Sequence, residues 1–418
     1  MGGVSEKLLD DEDNGFVSGR ELFVCSNHFQ DEDILKYIEN NHSVEFNCDF
    51  CDDPSEYDIE GDTEFFKTVS WDQLMGRIVP SILEFYDDPA NGLSYESAEG
   101  GYFGNVYSSL ELLSGEIQME ADFDVIEEIA NTLTNDGWTE AEFYGPTYLD
   151  HLKYTWDTFS ELVKYKIRYL FNEAILEKRH FDDVDKPFLI LKDIGRFIKE
   201  LNLFATFPEK VNLFNNTKVF FRATQFNPKK RKVESCNDIG SAPIKFAGSN
   251  RFSPEGISIF YGAEDADVAI EEVINRKKKN QSVSTGKFKP VRPLNLIDLR
   301  SIPQFGFFNT EKIDTIEPAR FLKTFVANIS KKITEDDNER IEYIPSQIIT
   351  EYFRYILSAE MEQSIDGIVY KSVQDPEKNC YAIFADDQMC ADEGSATENT
   401  LLVLKKHSIT TIKVSDIK

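Results

Sequence analysis

Positive charge is scarce in this chain: 45 lysines and arginines stand against 75 aspartates and glutamates, a net charge of -30 over 418 residues. That balance argues against nucleic acid as the main partner, because a phosphate backbone is repelled unless a local basic patch overrides the field. Cysteine, at six, is too sparse for a disulfide scaffold. No run of about 18 apolar residues occurs, so no membrane span is expected. The opening Met1-Gly2-Gly3-Val4-Ser5-Glu6 lacks a cationic-then-apolar signal, and lacks the serine or threonine of a myristoylation pattern. Cytoplasm is the expected location. What remains is 41% hydrophobic and 29% charged, an ordinary globular composition in a chain long enough for about two or three domains.

One stretch gathers chemistry. Asn250-Arg251-Phe252-Ser253-Pro254-Glu255-Gly256 reads as a turn, and Ile257, Ile259, Phe260 and Tyr261 follow as a buried strand. Asp265 or Asp267 can then cap a helix with apolar positions at Val268, Ile270, Val273 and Ile274. A cation, a phenol and a carboxylate thus fall on a turn, a strand end and a helix. Glu271 and Glu272 are adjacent, so they face different ways, and the residues alone do not choose between them.

The pattern Arg251-Phe252, Pro254, Gly256, Tyr261, Ala269, Glu272-Val273 resembles the RES domain. Val219-Phe220-Phe221-Arg222-Ala223 resembles that family's first strand with its arginine, and Pro345-Ser346-Gln347 opens a helix. Asp366 to Ser372 and Asn379 to Phe384 resemble the strand pair carrying its serine and asparagine. The likeness runs from about Thr217 to Lys418. It departs at Asn250 and Ser253, where the family often has glycine and asparagine.

The resemblance implies a diphtheria-toxin-like ADP-ribosyl-transferase fold and degradation of NAD+, with inorganic phosphate as co-substrate and a toxin role. By position it implies Arg222, Arg251, Tyr261 and Glu272 as catalytic and Ser372, Asn379 and Tyr370 as substrate-binding, with Glu272 chosen over Glu271 by the valine after it. Physical chemistry agrees with those roles. Loss of nicotinamide develops oxocarbenium charge that a carboxylate stabilises, and arginine forks suit a pyrophosphate. An antitoxin or regulatory protein, or a second copy of the chain, is the expected macromolecular partner. The rival readings are an ADP-ribosyl transferase acting on a macromolecule and an inactive zinc-bearing adaptor.

Elsewhere, Cys25-Ser26-Asn27-His28 and Cys48-Asp49-Phe50-Cys51 form two pairs at the spacing of a structural Cys3His zinc site. Residues 56–210 read as mostly helical: a helix around Pro80 from Trp71, a second from Phe123 to Leu133, a third from Tyr148 to Phe171 and another from Phe188 to Phe204, with a loop from Ala90 to Tyr107. This region resembles a HEPN ribonuclease in being helical, but Arg168 and His180 are too far apart for that motif and Arg179 is adjacent to His180. It is expected to be a scaffold or regulatory module. Two basic runs stand out, Lys229-Lys230-Arg231-Lys232 and Arg276-Lys277-Lys278-Lys279. The first would serve as a nuclear localisation signal in a eukaryotic cell, could draw an acidic partner, or is a solvated loop. Phe288 to Leu299 reads as a strand, Pro318 to Ile333 and Ile344 to Leu357 as helices, and Thr400–Leu404 with Thr410–Val414 as a terminal hairpin. The expected class is α+β: a mobile acidic start at 1–21, a zinc module at 22–55, a helical domain at 56–210, and a RES-like domain at 211–418.

Overall fold

The computed structural model describes residues 11, 14–43, 47–51, 67–97, 100–135, 137–141, 148–169, 188–208, 219–309, 313–331 and 339–417. Two compact units emerge, Met1–Asp150 with Gln304–Glu317, and His151–Pro303 with Pro318–Lys418. The first holds strand β1 (Phe23–Cys25), helix α1 (Glu32–Asn41), strand β2 (Thr68–Ser70), and helices α2 (Trp71–Phe85) and α3 (Phe123–Thr132). Helix α2 starts where Ser70 and Gln73 cap each other's backbone, and runs on through Pro80. Trp71, Leu74, Met75, Ile78, Val79 and Ile82 recur at helical spacing and are all buried. They pack with Val125, Ile126 and Ile129 of α3, each such side chain contributing about 1.5–3 kcal/mol. The expected mobile start is packed where it is described: Phe16 is in this core and Val17 donates to the Thr132 carbonyl at 2.8 Å. The expected loop after Ala90 contains a helical turn, Pro89–Gly92, and a small hairpin pairing Tyr95–Glu96 with Gly101–Tyr102.

The second unit is a ten-stranded sheet with helices. In chain order it comprises α4 (Tyr148–Tyr165, entering from the boundary), α5 (Leu189–Glu200), β3 (Phe204–Phe207), β4 (Phe220–Phe226), β5 (Phe260–Ala263) and α6 (Ala266–Val273). Then follow β6 (Ser282–Pro290), β7 (Leu294–Asp298), α7 (Ile313–Ser330, in this unit from Pro318), α8 (Ile344–Glu351), β8 (Gly367–Lys371), β9 (Asn379–Ile383), β10 (Cys390–Asp392), β11 (Leu402–Leu404) and β12 (Thr410–Lys413). The strand order is β10-β11-β6-β4-β5-β9-β8-β7-β3, with β12 also on β6. The sheet unit reaches back to His151, because β3 pairs with β7 and Trp156 of α4 packs edge-on against Phe325 at 4.9 Å.

Two sequence expectations change. Phe288 to Leu299 is two strands, with Pro293 between the end of β6 and the start of β7. The terminal hairpin is not one: β11 and β12 both pair antiparallel with β6, which at nine residues offers room for each along its length. Hydroxyl pairs fix β12 there, Ser284 with Thr411 and Thr285 with Thr410, both at 2.7 Å.

Candidate functional site

The sheet comes apart between β4 and β5. These neighbours share a single paired position, Phe221 opposite Ala263, and then diverge. Gly262 allows the close approach, since a Cβ there would lie 3.1 Å from the Phe220 Cβ. A cleft of about 480 Å³ opens at the split, a volume typical of ligand sites. Arg222 lines it from β4, Tyr261 from β5, Glu272 from α6, Tyr370 from β8, and Arg251 from the turn before β5. Five of the seven residues expected at the substrate site therefore face one space.

Each is held by identifiable contacts. Arg222 donates from Nε to the Ile239 carbonyl at 2.9 Å and from Nη1 to the Tyr261 carbonyl at 2.8 Å, with its guanidinium over the Phe260 ring. Burial pushes its pKa down. Two of five N–H groups are used, and the others remain for a ligand. Arg251 is turned toward the end of α7, donating to the carbonyls of Ile329 and, at 3.1 Å, Lys331, and it lies over the Tyr343 ring. A cation there suits the negative end of a helix.

The turn carrying Arg251 closes by reciprocal backbone bonds between Asn250 and Ser253, at 2.8 and 3.2 Å. Gly256 just after it has φ +87°, a conformation that favours glycine. The Ser253 hydroxyl meets the Tyr261 hydroxyl at 3.0 Å. Burial pushes the Tyr261 phenol up to about 12. Helix α8 fastens the turn from behind. Buried Gln347 donates to the Ser249 hydroxyl at 3.0 Å and to the Asn250 and Ser253 carbonyls at 2.8 and 3.2 Å, and Ser346 donates to the Arg251 carbonyl at 2.5 Å. Sequence reasoning gave these two residues no role. Their signal was two polar side chains just after the proline that opens an apolar helix.

Asp265 caps α6, accepting from the Val268 amide at 2.9 Å, and so sets which glutamate meets the cleft. Glu272 reaches it, and its Oε1 accepts from the Ser372 hydroxyl at 2.8 Å. Glu271 pairs instead with Arg276 at 2.5 Å. Ser372 is buried at the end of β8 and also receives the Gln374 amide at 3.1 Å, so it positions the carboxylate rather than facing the open cleft. Cys380 lies beside it, its sulphur 3.7 Å from the same oxygen, and burial with that negative charge raises its pKa. Burial likewise raises Tyr370 well above a free tyrosine. Asn379 does not line the cleft: its amide donates to Glu264 at 2.6 Å, just beyond the end of the β5–β9 pairing.

The first unit holds a second cluster. The ligand atoms of Cys25, His28, Cys48 and Cys51 all lie within 4.8 Å of one another. The Cys25 and Cys51 sulphurs are 3.7 Å apart, close to the roughly 3.8 Å edge of a tetrahedron with Zn–S bonds of about 2.3 Å. His28 turns Nε2 to the Cys51 sulphur at 3.3 Å and bonds Asp122 through Nδ1 at 2.8 Å. The hydrogen bond from the Cys25 thiol lowers the pKa of Cys48, favouring its thiolate. Three sulphurs and an oriented imidazole fit a four-coordinate zinc ion, and this cluster could hold one. Asp122, 94 residues from His28, carried no sequence signal.

Comparison with protein families matches residues 229–403 to the RES domain and residues 41–177 to the HEPN/RES N-terminal domain 1. This chain carries a RES domain. No curated protein and no solved structure matches it. Arg251, Tyr261, Glu272, Tyr370, Ser372 and Asn379 lie inside the RES match, whereas Arg222 precedes it and reaches the cleft through β4. The HEPN/RES match stands although the ribonuclease spacing is not met; Arg179 and His180 fall beyond it and outside the described residues. A RES domain fits NAD+-related toxin chemistry. Among the described residues no helix is long and apolar enough to cross a membrane.

Proposed function

We propose that this chain cleaves the nicotinamide–ribose bond of NAD+, transferring the ribosyl carbon to inorganic phosphate, or to water in its absence. The observation that carries this reading is Glu272, presented to a cleft it shares with Arg222 and Tyr261 and held by the Ser372 hydroxyl at 2.8 Å. In the step, the bonding pair leaves with nicotinamide, whose ring nitrogen becomes neutral, so no strong acid is required. Glu272 stabilises the oxocarbenium charge left on the ribose, and a phosphate oxygen forms the new bond to the same carbon. The free donors of Arg222 hold the pyrophosphate, Arg251 serves the incoming phosphate from the edge of the cleft, and Tyr261 forms its aromatic wall. Tyr370 packs below, with Ser372 and Asn379 as supports. The Cys/His cluster holds a structural zinc. Such an activity depletes NAD+ and arrests growth, so the protein acts as a toxin or anti-phage effector kept in check by an antitoxin or regulatory partner.

The test is NAD+ consumption by the purified chain with and without inorganic phosphate, beside Glu272→Gln, with products separated by chromatography. Phosphorylated ADP-ribose from the wild type and none from the variant supports the phosphorylase. Free ADP-ribose under both conditions converts the reading to a hydrolase, and intact NAD+ throughout removes it.

A further inference from the structure

The two basic runs, separated in sequence by some forty residues, come together in space. Strand β4 ends at Phe226 and leads into Lys229, Lys230, Arg231 and Lys232. Helix α6 ends at Val273 and leads into Arg276, Lys277, Lys278 and Lys279 before β6 begins. β6 opens opposite the end of β4, Ser282 against Phe226, so both loops emerge at the same end of neighbouring strands. Gln225 and Asn275 lock them together, the Asn275 amide donating to Gln225 at 2.6 Å and the Gln225 side chain returning a bond to the Asn275 carbonyl at 3.2 Å. Lys413 of β12 joins them, opposite Ser282.

All eight loop cations are exposed. Two of the eight are offset within the patch, Arg276 by Glu271 and Lys232 by Glu234 at 3.7 Å, while Asp238 accepts from the amides of Glu234 and Ser235 at the start of its own helical turn, so the charge rests mainly on Lys229, Lys230, Lys278 and Lys279. Arg231 has a structural duty, stacked over Phe226 and bonded to the Thr224 hydroxyl at 3.0 Å. The lysines form a concentrated positive patch on a chain whose net charge is -30.

We infer that this patch docks a short acidic segment of a partner protein. Its size and setting choose that occupant. Neighbouring strands lie about 4.8 Å apart, so the paired loops cover only the length of several extended residues. A long nucleic acid would overrun the patch and meet the carboxylates that dominate the rest of the chain, whereas a run of a few aspartates and glutamates places its charge only where the lysines are. Lysine ammonium groups are mobile point charges that match single carboxylates without fixed geometry. The inference does not depend on the NAD+ reading.

The test uses the full chain and a fluorescent octapeptide of alternating Asp and Glu, followed by anisotropy at low and physiological salt, with a single-stranded uridine 20-mer as the competing probe. Two variants each remove one half of the patch, Lys229→Gln with Lys230→Gln and Lys232→Gln, or Lys277→Gln with Lys278→Gln and Lys279→Gln; Arg231 and Arg276 are left in place. Matching Lys→Arg sets keep the charge. We expect peptide binding that weakens with salt, a loss of about tenfold or more in either Gln set, and retention in the Arg sets. Absence of peptide binding to the wild type, equal binding to the Gln sets, or stronger binding of the RNA than of the peptide would each overturn the inference.

Discussion

The Cys/His cluster and the RES-domain cleft are built on opposite plans. The cluster takes all four ligands from residues 25–51, with Asp122 as its distant support, and closes on itself. The cleft draws its walls from residues between 221 and 380 and stays open where β4 and β5 part. In the closed site every donor has a neighbour, so an ion there gains stability for the fold and has no coordination position left for a substrate. In the open site the arginines keep donors unused, and a carboxylate meets solvent. The closed arrangement suits an ion held for structure, and the open one suits a ligand that comes and goes.

Metal removal is the strongest way to break that contrast. Structural zinc contributes on the order of 10 kcal/mol to small domains, so a strong chelator should lower the melting of the first unit by about 10 °C or more in calorimetry. Metal analysis should find zinc in the wild type and not in Cys48→Ser, and Asp122→Asn should weaken its affinity by about 10–100-fold. A melting curve indifferent to chelation would mean the cluster is a set of packed thiols.

Next in size is the choice between adjacent glutamates. Glu272→Gln should lower the rate of NAD+ loss by about 100-fold or more, since a charge-stabilising group is removed from the reacting centre. Glu271→Gln breaks only an exposed pair with Arg276, about 0–1 kcal/mol, and should leave the rate near wild type. The reverse order would move the site to the other face of α6.

The two plans also explain what the sequence discloses. Ligand spacing in the cluster is local, so Cys25, His28, Cys48 and Cys51 stand out on reading. Glu272, Tyr261 and Arg251 were legible for a similar reason, since turn, strand and helix follow one another within a couple of dozen residues and only Asp265 is needed to orient the helix. What depends on distant pairing was not. The Thr410 strand looked like a hairpin partner of Leu402 because neither carries a mark of β6, and nothing near Gln347 shows that it fastens a turn almost a hundred residues earlier. Arg222 could be placed on its strand, but its tie to the Ile239 carbonyl could not.

Gln347 therefore offers an intermediate perturbation. Gln347→Leu removes a donor shared by three acceptors of the arginine turn, of which the Asn250 and Ser253 carbonyls keep their reciprocal backbone bonds, at about 1–3 kcal/mol for buried groups. Calorimetry should show a modest loss of stability. Because the turn positions Arg251 and Ser253 and does not itself react, KM for NAD+ should rise several-fold while kcat changes less. An equal fall in kcat alone would place Gln347 in the chemistry and blur the line between support and site.

The smallest effect concerns Tyr261. Its folded pKa, at about 12, lies above the value of 10.0 for a free tyrosine, so the folded state holds this proton more tightly than the unfolded chain. The stability that follows is fully present below pH 10 and is lost as the pH climbs toward 12. The Tyr261→Phe variant has no proton to lose, so its melting temperature should fall less steeply over that window than the wild type's, while at neutral pH it should be slightly less stable for want of the bond to Ser253. If the two slopes coincide, the phenol is not buried as the fold places it, and the cleft is open on that side as well.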